Sequence, residues 1–311
     1  REVVFLQRKF AGGEEKMKTA LFTASYNRPD LFLELLAGLE LNLEDLENID
    51  IFHYIDGGVN SKQSEIVALI ERTKLPCKEV IIREENYGVG RNLIGARRDL
   101  FDVKGYERVI LVEEDLIPGP NFVKTNLNLA NWAKQFNDVG MVQVWNLPKE
   151  TITEKHLALV EPSHTHFVTY CLDVEVWNEI KETLYEYEKK YLTGVSYQNK
   201  KWRKIRKKFM KPRYAPERKI REGPLLIPKD RQHPPPFGPK LKRIVPTGQD
   251  AVTSLALWEK GFIRIATIAP RALLKGEDGV HCNPDIFDAL GLNDQAEYEW
   301  NQPVPVQFEL A

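Results

Sequence analysis

Cysteine is scarce in this sequence, with three residues among 311, at Cys77, Cys171 and Cys282. Because they are odd in number and far apart, they argue against a disulfide framework and against a cysteine-rich zinc site. A reducing compartment is therefore favoured. The sequence also has no Asn-x-Ser/Thr acceptor for N-glycosylation, which agrees with a cytosolic protein.

Long apolar runs are absent as well. No stretch approaches the roughly 18–20 consecutive apolar residues that span a bilayer, and no signal peptide is visible. We therefore expect a cytoplasmic protein, with peripheral attachment to a membrane as its closest association with lipid. Because the sequence begins at Arg1, the other expectation is a lumenal catalytic fragment whose anchor has been removed. A separate alternative is that Met17 is the natural start and 1–16 an upstream extension.

The net charge is small, but its distribution is uneven. The chain carries −1 in total, and residues 199–243 hold 17 Lys/Arg against three acids, so that segment carries +14 and the remainder −15. The run 200–208 (KKWRKIRKK) places aromatic and apolar residues among the cations, as interfacial segments do. We expect contact with a membrane surface or an anionic acceptor, and nucleic acid is the less favoured partner. A solvated charge run is the plain alternative.

Apolar residues make up 42% and charged residues 29% of the chain, as in a globular protein with a core. The first half alternates strand-like and helix-like segments, which predicts an α/β fold with a mainly parallel central sheet. The predicted strands are 19–25, 51–55, 79–83, 108–112, 140–144 and 263–268. One predicted helix begins at Pro29. The other predicted helices cover 61–73, 90–101, 121–136, 173–190 and 249–260. The proline-rich stretch 213–246 predicts an extended loop or lid.

Three consecutive acids, Glu113, Glu114 and Asp115, follow the apolar strand 108–112. In open α/β sheets, ligands bind beyond the carboxyl ends of the strands. Adjacent carboxylates repel one another and lose hydration on burial, so the fold gains nothing from them unless a cation compensates. Hard divalent ions such as Mg²⁺ or Mn²⁺ accept carboxylate oxygens and keep positions open for phosphate oxygens. The plain alternative is a solvated acidic turn.

The sequence around this triplet, VILVEEDLIPGPNF, resembles the DxD-type segment of GT-A glycosyltransferases. Within that family it is most similar to the acidic triplet of the N-acetylglucosaminyltransferases that start N-glycan branching. The resemblance extends to residues 23–28 (TASYNR), 54–57 (YIDG) and 140–148 (GMVQVWNLP), and it is looser beyond residue 148. It implies a GT-A fold, which is Rossmann-like and typical of nucleotide-diphospho-sugar transferases.

The resemblance also implies roles for the residues that match. Asp115 would be the main metal contact, with Glu113 and Glu114 beside the donor. The commonest form of the motif has Asp at its first position, whereas this sequence has Glu113, which puts the geometry of a second metal contact in doubt. Arg28 would reach the donor nucleotide, and Asp56 would read the uracil.

Arg91 begins a predicted helix after the glycine-containing turn 86–90 (NYGVG). The glycines permit close approach of a ligand, and the start of a helix favours anions. Because a guanidinium pairs well with phosphate, we expect Arg91 to contact the donor diphosphate. The plain alternative is a tight β–α turn with a surface arginine.

Two further candidates lie late in the chain. Asp250 stands at the start of a predicted helix, and an inverting transferase needs a carboxylate that removes a proton from the acceptor hydroxyl. The resemblance implies that role for Asp250, although an acid near a helix start is also a favoured cap. His281 ends the loop 276–281 (GEDGVH), which is similar to the mobile loop that closes over the donor in GT-A enzymes. We expect His281 to contact the metal or the diphosphate.

These features predict one catalytic domain over 1–311, with a donor-binding half at 19–148 and an acceptor-binding half at 149–311 that carries a basic, proline-rich insertion at 199–246. The expected reaction moves a sugar from a UDP-sugar, with UDP-GlcNAc as first candidate, to a hydroxyl of a glycan or glycolipid. It would depend on Mn²⁺ or Mg²⁺, and its inverting course is implied by the resemblance alone. The alternatives are a nucleotidyltransferase and a non-catalytic glycan- or membrane-surface-binding relative.

Overall fold

A computed structural model describes residues 17–147, 151–163, 168–195, 199–210, 219–229, 248–277, 284–289, 291–295 and 301–311. His281 and most of the proline-rich stretch lie outside the described residues. Among the helices in these ranges, none is long and apolar enough to cross a membrane. Cys77 is exposed and Cys171 is buried, and both are free thiols.

The strands of the described chain begin and end as follows. They are β1 (Thr19–Ser25), β2 (Asp50–Ile55), β3 (Cys77–Ile82), β4 (Arg108–Glu113), β5 (Leu116–Pro118), β6 (Val139–Gln143), β7 (Leu159–Pro162), β8 (Thr169–Asp173), β9 (Ile263–Thr267), β10 (Ala272–Leu274) and β11 (Glu309–Leu310).

Within the described ranges, nine of these strands form one sheet in the order β3-β2-β1-β4-β8-β6-β9-β7-β11. The strands β3, β2, β1 and β4 are parallel to their neighbours, and β6 is parallel to β9. The exceptions are β8, antiparallel between β4 and β6, and β7, antiparallel to β9. The α/β class with a mainly parallel central sheet, predicted from the sequence, is confirmed.

The helices cover the faces of this sheet. They are α1 (Pro29–Glu40), α2 (Leu43–Leu46), α3 (Gln63–Ile70), α4 (Gly88–Arg98), α5 (Phe122–Ala133), α6 (Val174–Tyr191), α7 (Trp202–Met210), α8 (Gln249–Glu259) and α9 (Pro284–Ala289). Pro29 occupies the first turn of α1, where its missing N–H costs nothing.

Side-chain alternation along β4 divides the core into two layers. Ile110 and Val112 face the layer that α1, α3 and α5 cover, whereas Val109 and Leu111 face the layer that α4, α6 and α8 cover. All four side chains are fully buried. Helices cover both faces of β4, so the part of the strand that remains accessible at the edge of the fold is its carboxyl end.

Several predicted boundaries need correction. The helix expected from Ser61 begins at Gln63, because the Ser61 hydroxyl donates instead to the carbonyls of Tyr26 and Asp56, at 3.2 and 2.7 Å. The helix expected at 90–101 begins at Gly88 and continues after Arg98 as a π-helical turn. None of the strands predicted from the sequence covers Thr169–Asp173, where the antiparallel strand β8 lies.

A buried cation fixes the start of β4. The Arg108 side chain is 2% exposed and donates two hydrogen bonds to the Asp173 carboxylate, from Nε at 2.6 Å and from Nη2 at 2.8 Å. Its Nη1 donates to Asn131 at 2.7 Å. Asp173 ends β8, so this fork holds the antiparallel strand against β4.

We predict that Asp173→Ala lowers the free energy of unfolding by about 3–5 kcal/mol, because it leaves the Arg108 charge buried without its carboxylate. Urea unfolding followed by far-UV circular dichroism measures the loss. The matched control is Glu65→Ala, which removes the acid of the exposed Lys62–Glu65 pair and should leave the unfolding midpoint near that of the unaltered protein. Equal effects of the two substitutions would contradict the prediction.

Candidate functional site

The parallel register brings three sequence-predicted segments to one edge of the sheet. Ser25, at the end of β1, pairs with Ile55 at the end of β2, and Ala24 pairs with Glu113 at the end of β4. The residues that follow these strands therefore meet at the carboxyl edge, where α/β sheets bind ligands. Arg28, Asp56 and the acidic triplet all lie there.

Arg28 joins the ends of β1 and β4. Its Nε donates to Glu114 Oε1 at 2.8 Å, and its Nη2 donates to Asp115 Oδ2 at 3.0 Å. The second oxygen of Glu114 accepts the backbone N–H of Tyr26 at 2.8 Å. Burial raises the pKa of the Glu114 carboxyl, although the Arg28 charge and these hydrogen bonds oppose the rise. Glu114 thus has both oxygens engaged by the first loop of the fold.

Asp115 is engaged on one oxygen only. Asp115 Oδ1 and Arg28 Nη1 are buried and have no hydrogen-bond partner within the described residues. The Asp115 side chain is 17% exposed, so it is open to a small ligand from one side. An unsatisfied buried carboxylate oxygen is costly, and a cation would satisfy it.

Glu113 points toward the other layer of the core. Burial, together with the nearby charges of Asp115 and Asp250, raises the pKa of the Glu113 carboxyl well above its usual range. Asp250 lies in the first turn of α8, and its Oδ1 accepts a hydrogen bond from the side chain of Gln249. The fold therefore brings Asp250 to the acidic triplet from a distant part of the chain.

The Asp250 charge is felt by three further groups around it. Burial raises the pKa of Tyr170 to about 12, and the Asp250 charge contributes to that rise. Burial and the Asp250 charge also raise the pKa of Tyr187. Burial lowers the pKa of Arg264 to about 10, and the Asp250 charge partly offsets that effect. Asp250 is thus part of a buried polar cluster in addition to standing at the start of a helix.

Asp56 accepts hydrogen bonds from backbone amides that lie at the carboxyl edge of the sheet. Its Oδ1 accepts the backbone N–H groups of Gly57 and Tyr87, at 2.9 and 2.7 Å, and its Oδ2 accepts that of Gly88 at 2.8 Å. Burial raises the pKa of Asp56, and the three amide donors oppose the rise. These contacts fix the turn between β3 and α4, and the uracil contact expected of Asp56 stays a prediction.

Arg91 lies in the first turns of α4 but is turned toward the same loop. Its guanidinium stacks on the ring of Tyr87, 3.6 Å from the centroid, and its Nη1 pairs with Glu85 at 2.9 Å. The Glu85 side chain is 69% exposed. Because Glu85 is largely exposed, its pairing with Arg91 contributes little to stability, and the diphosphate contact expected of Arg91 stays a prediction.

The late segment 272–276, which leads into the loop expected to close over the donor, packs against Asp115. β10 pairs with β5, which puts the Lys275 N–H on the Asp115 carbonyl at 2.8 Å. Gly276 follows, and a Cβ placed there would come within 2.6 Å of Asp115 Oδ2. The requirement for glycine at position 276 is therefore steric. His281, five residues on, lies outside the described residues.

The residues fit a hard divalent cation, with Asp115 as the candidate ligand. Within the described ranges, no three His, Cys, Asp or Glu side chains come together as a metal cluster. Mg²⁺-type sites need only one or two carboxylates when substrate phosphates and water supply the other oxygens. The buried, unsatisfied Asp115 Oδ1 meets that requirement, whereas Glu114 is committed to Arg28 and Tyr26.

A cavity of about 700 Å³ is lined in part by Arg28. Its walls come from the start of α1, the end of β10 and the segment 287–295. Apolar side chains such as Leu31 and Phe287 alternate with polar ones such as Asn27 and Gln295. A mixed lining of this kind suits a ligand that has both apolar and hydrogen-bonding surfaces.

No protein-family model matches the chain, and no curated protein matches it. Solved structures do match the chain. Mannosyltransferase PcManGT from Pyrobaculum calidifontis, in complex with GDP-Man and Mn²⁺, matches with a TM-score of 0.38 and 17% identity, over 52% of this chain and 46% of that one. TarS 1–349 of S. aureus, in complex with UDP-GlcNAc, matches with a TM-score of 0.38 and 20% identity, over 53% and 48%.

Glucosyl-3-phosphoglycerate synthase from Mycobacterium tuberculosis, in complex with Mn²⁺, UDP and phosphoglyceric acid, matches with a TM-score of 0.34 and 12% identity, over 55% of this chain and 63% of that one. This chain thus spans about half to under two thirds of the length of these proteins. The likeness is confined to the fold, and it identifies neither a donor nor an acceptor. The narrower resemblance to the N-glycan branching enzymes stays a prediction.

We predict that Gly276→Ala displaces the Asp115 carboxylate and weakens Mn²⁺-dependent nucleotide binding at least about tenfold, since a clash at 2.6 Å cannot be absorbed without moving one partner. Isothermal titration calorimetry with UDP and Mn²⁺ measures the change. Gly248→Ala is the control, because a Cβ there meets nothing within 4 Å in the part of the chain that the structure describes, and this glycine directly precedes Gln249 and Asp250. Equal binding by the two variants would mean that the contact between residue 276 and Asp115 is unimportant.

Proposed function

We propose that this chain is a metal-dependent glycosyltransferase that takes its sugar from a nucleotide-sugar donor. The observation that supports it best is the approach of Asp250 to Glu113, two residues before Asp115, at the carboxyl edge of a mainly parallel sheet. One carboxylate with an unsatisfied oxygen suits a cation, and a second, held by another element, suits proton removal.

The protein's own residues divide the work. Arg28 holds Asp115 and Glu114 together at the end of β4, so the cation ligand is fixed before substrate arrives. A divalent cation bound there would neutralise the donor diphosphate and so stabilise the leaving nucleotide. Asp250 would remove the proton from the acceptor hydroxyl while that oxygen attacks the anomeric carbon, which gives inversion.

The donor would lie over the ends of β1, β2 and β4, with Arg28, Asp56 and Arg91 as its expected contacts. UDP-GlcNAc is the donor that the sequence resemblance favours. The acceptor would be a glycan or glycolipid hydroxyl that reaches Asp250. This assignment keeps the division into a donor-binding half at 19–148 and an acceptor-binding half at 149–311 within one domain.

The deciding experiment measures release of the nucleotide from a nucleotide-sugar panel, with and without Mn²⁺. We expect one donor to be turned over only with the metal. Asp115→Ala should abolish metal-dependent donor binding, because it removes the candidate ligand. Asp250→Asn should lower kcat by about 10²–10⁴-fold while the KM of the donor stays close to its original value, as expected when a general base is lost.

Glu71→Ala is the matched control, since that carboxylate is exposed and belongs to no described site. Failure of every donor to bind in the presence of metal would refute the transferase and favour a non-catalytic binding relative. Release of pyrophosphate from a nucleoside triphosphate would instead indicate a nucleotidyltransferase.

We also propose that the basic helix α7 lies against an anionic membrane surface. Its Ile205 is buried in the core, so the helix is anchored to the protein and presents its cations outward. Arg203, Lys204 and Lys207 are exposed. Because segment 199–243 carries +14 and the remainder −15, a flat anionic surface would orient the molecule with this helix toward the lipid. A glycolipid acceptor would be presented at such a surface.

Charge reversal of Arg203, Lys204 and Lys207 to Glu should weaken binding to phosphatidylserine-containing vesicles at least about 100-fold, since each cation near the surface contributes about 1 kcal/mol. Vesicle co-sedimentation at low salt measures it, with phosphatidylcholine vesicles as the blank. The matched control reverses the exposed Arg72, Lys74 and Lys78. Equal loss in both variants, or preferential binding of duplex RNA over vesicles, would contradict the membrane assignment.

A further inference from the structure

Arg97 is a cation buried inside the protein. It lies near the end of α4, its side chain is 0% exposed, and its guanidinium is packed against the rings of Tyr170 and Trp177, 5.9 and 5.6 Å from their centroids. Within the described residues, no carboxylate forms an ion pair with it. A buried guanidinium is costly unless its donors are satisfied, so its hydrogen-bond partners carry the explanation for its place.

Those partners belong mainly to α8. Arg97 Nη2 donates to Gln249 Oε1 at 2.8 Å, and Nη1 donates to Thr253 Oγ1 at 3.4 Å. The third donor, Nε, bonds the Leu93 carbonyl of its own helix at 3.3 Å. Gln249 is itself only 4% exposed. The short bond to Gln249 is therefore the main link from Arg97 to the first turn of α8.

This link determines which way the Gln249 amide points. An arginine side chain has only donors, so the oxygen of the amide must face Arg97. The amide nitrogen then faces the other way, and it donates to Asp250 Oδ1. Arg97 thereby compels Gln249 to present a donor, and never an acceptor, to the Asp250 carboxylate.

The charges around Asp250 make that donor necessary. Glu113 of β4 carries like charge when ionised, and the phenols of Tyr170 and Tyr187 face Asp250 from β8 and α6. Arg264 of β9 supplies a cation. A donor that cannot rotate away holds the carboxylate in one orientation among these groups.

We propose that Arg97 and Gln249 are positioning residues for Asp250, with Arg97 fixing the amide and the amide fixing the carboxylate that removes the acceptor proton. This inference rests on the proposed function, since it assigns a partner to its general base. It adds two residues to those that the sequence analysis places at the site.

The test is Gln249→Glu in the full-length protein. The new carboxylate keeps the Arg97 contact and turns it into an ion pair, so a purely structural role predicts unchanged or raised Tm and unchanged turnover. A positioning role predicts the same Tm and donor KM but a kcat lowered about 10- to 100-fold. The reason is that the second oxygen of the new carboxylate repels Asp250, whereas the amide nitrogen that it replaces donates a hydrogen bond to Asp250. Thr253→Val, which removes the weaker Arg97 contact, is the control and should leave kcat within about twofold.

If Gln249→Glu does not fold, Gln249→Asn serves instead, because its shorter side chain keeps the amide but cannot span from Arg97 to Asp250. A kcat equal to that of the unaltered protein in whichever variant folds overturns the proposal. Asp250→Asn tests the proposed general base separately from the residues that position it. When it abolishes turnover and the Gln249 variant does not, only the positioning role fails. When Asp250→Asn is itself harmless, the proposed base fails as well.

Discussion

The contact of Arg28 with Glu114 and Asp115 is the interaction on which the rest of the site depends. Three acids in succession at the end of β4 would repel one another and lose hydration, and Arg28 compensates two of them with one guanidinium. The same contact ties the loop after β1 to the end of β4. Arg28 is therefore structural and electrostatic at once, since moving it would free the first loop and leave Asp115 without its neutralising partner.

Strand alternation gives the acids of the triplet different surroundings. Glu113, the last residue of β4, faces the layer that contains α8 and meets the charge of Asp250, whereas Glu114 is turned toward Arg28 and the Tyr26 amide. A run of acids in a sequence suggests three equivalent ligands. In the fold, one of the three acids supports a loop, one borders a second carboxylate, and the third, Asp115, keeps a buried oxygen without a partner within the described residues.

The sequence predicted what depends on local pattern. β1 has the predicted bounds, α1 begins at the predicted Pro29, and Gly261 follows the end of α8 with a φ of +83°, which glycine adopts without strain. What it missed depends on distant partners. β8 has no identity until it lies between β4 and β6, and the contact of Gly276 with Asp115 arises only when β10 pairs with β5. Likewise, Arg97 is buried because α8 packs over it and supplies Gln249 and Thr253 as hydrogen-bond acceptors.

Charge balance links these observations to the expected cation. On one side of the sheet edge, Arg28 faces Glu114 and Asp115, and on the other, Arg264 and the more remote Arg97 accompany Glu113 and Asp250. Arg28 is already shared between two carboxylates, so it offers a nucleotide diphosphate little net positive charge. A donor of that kind would bring further negative charge to an edge that already holds four carboxyl groups. A divalent ion on Asp115 is the simplest means of offsetting it, which is why we expect donor binding without metal to be weak even though arginines line the site.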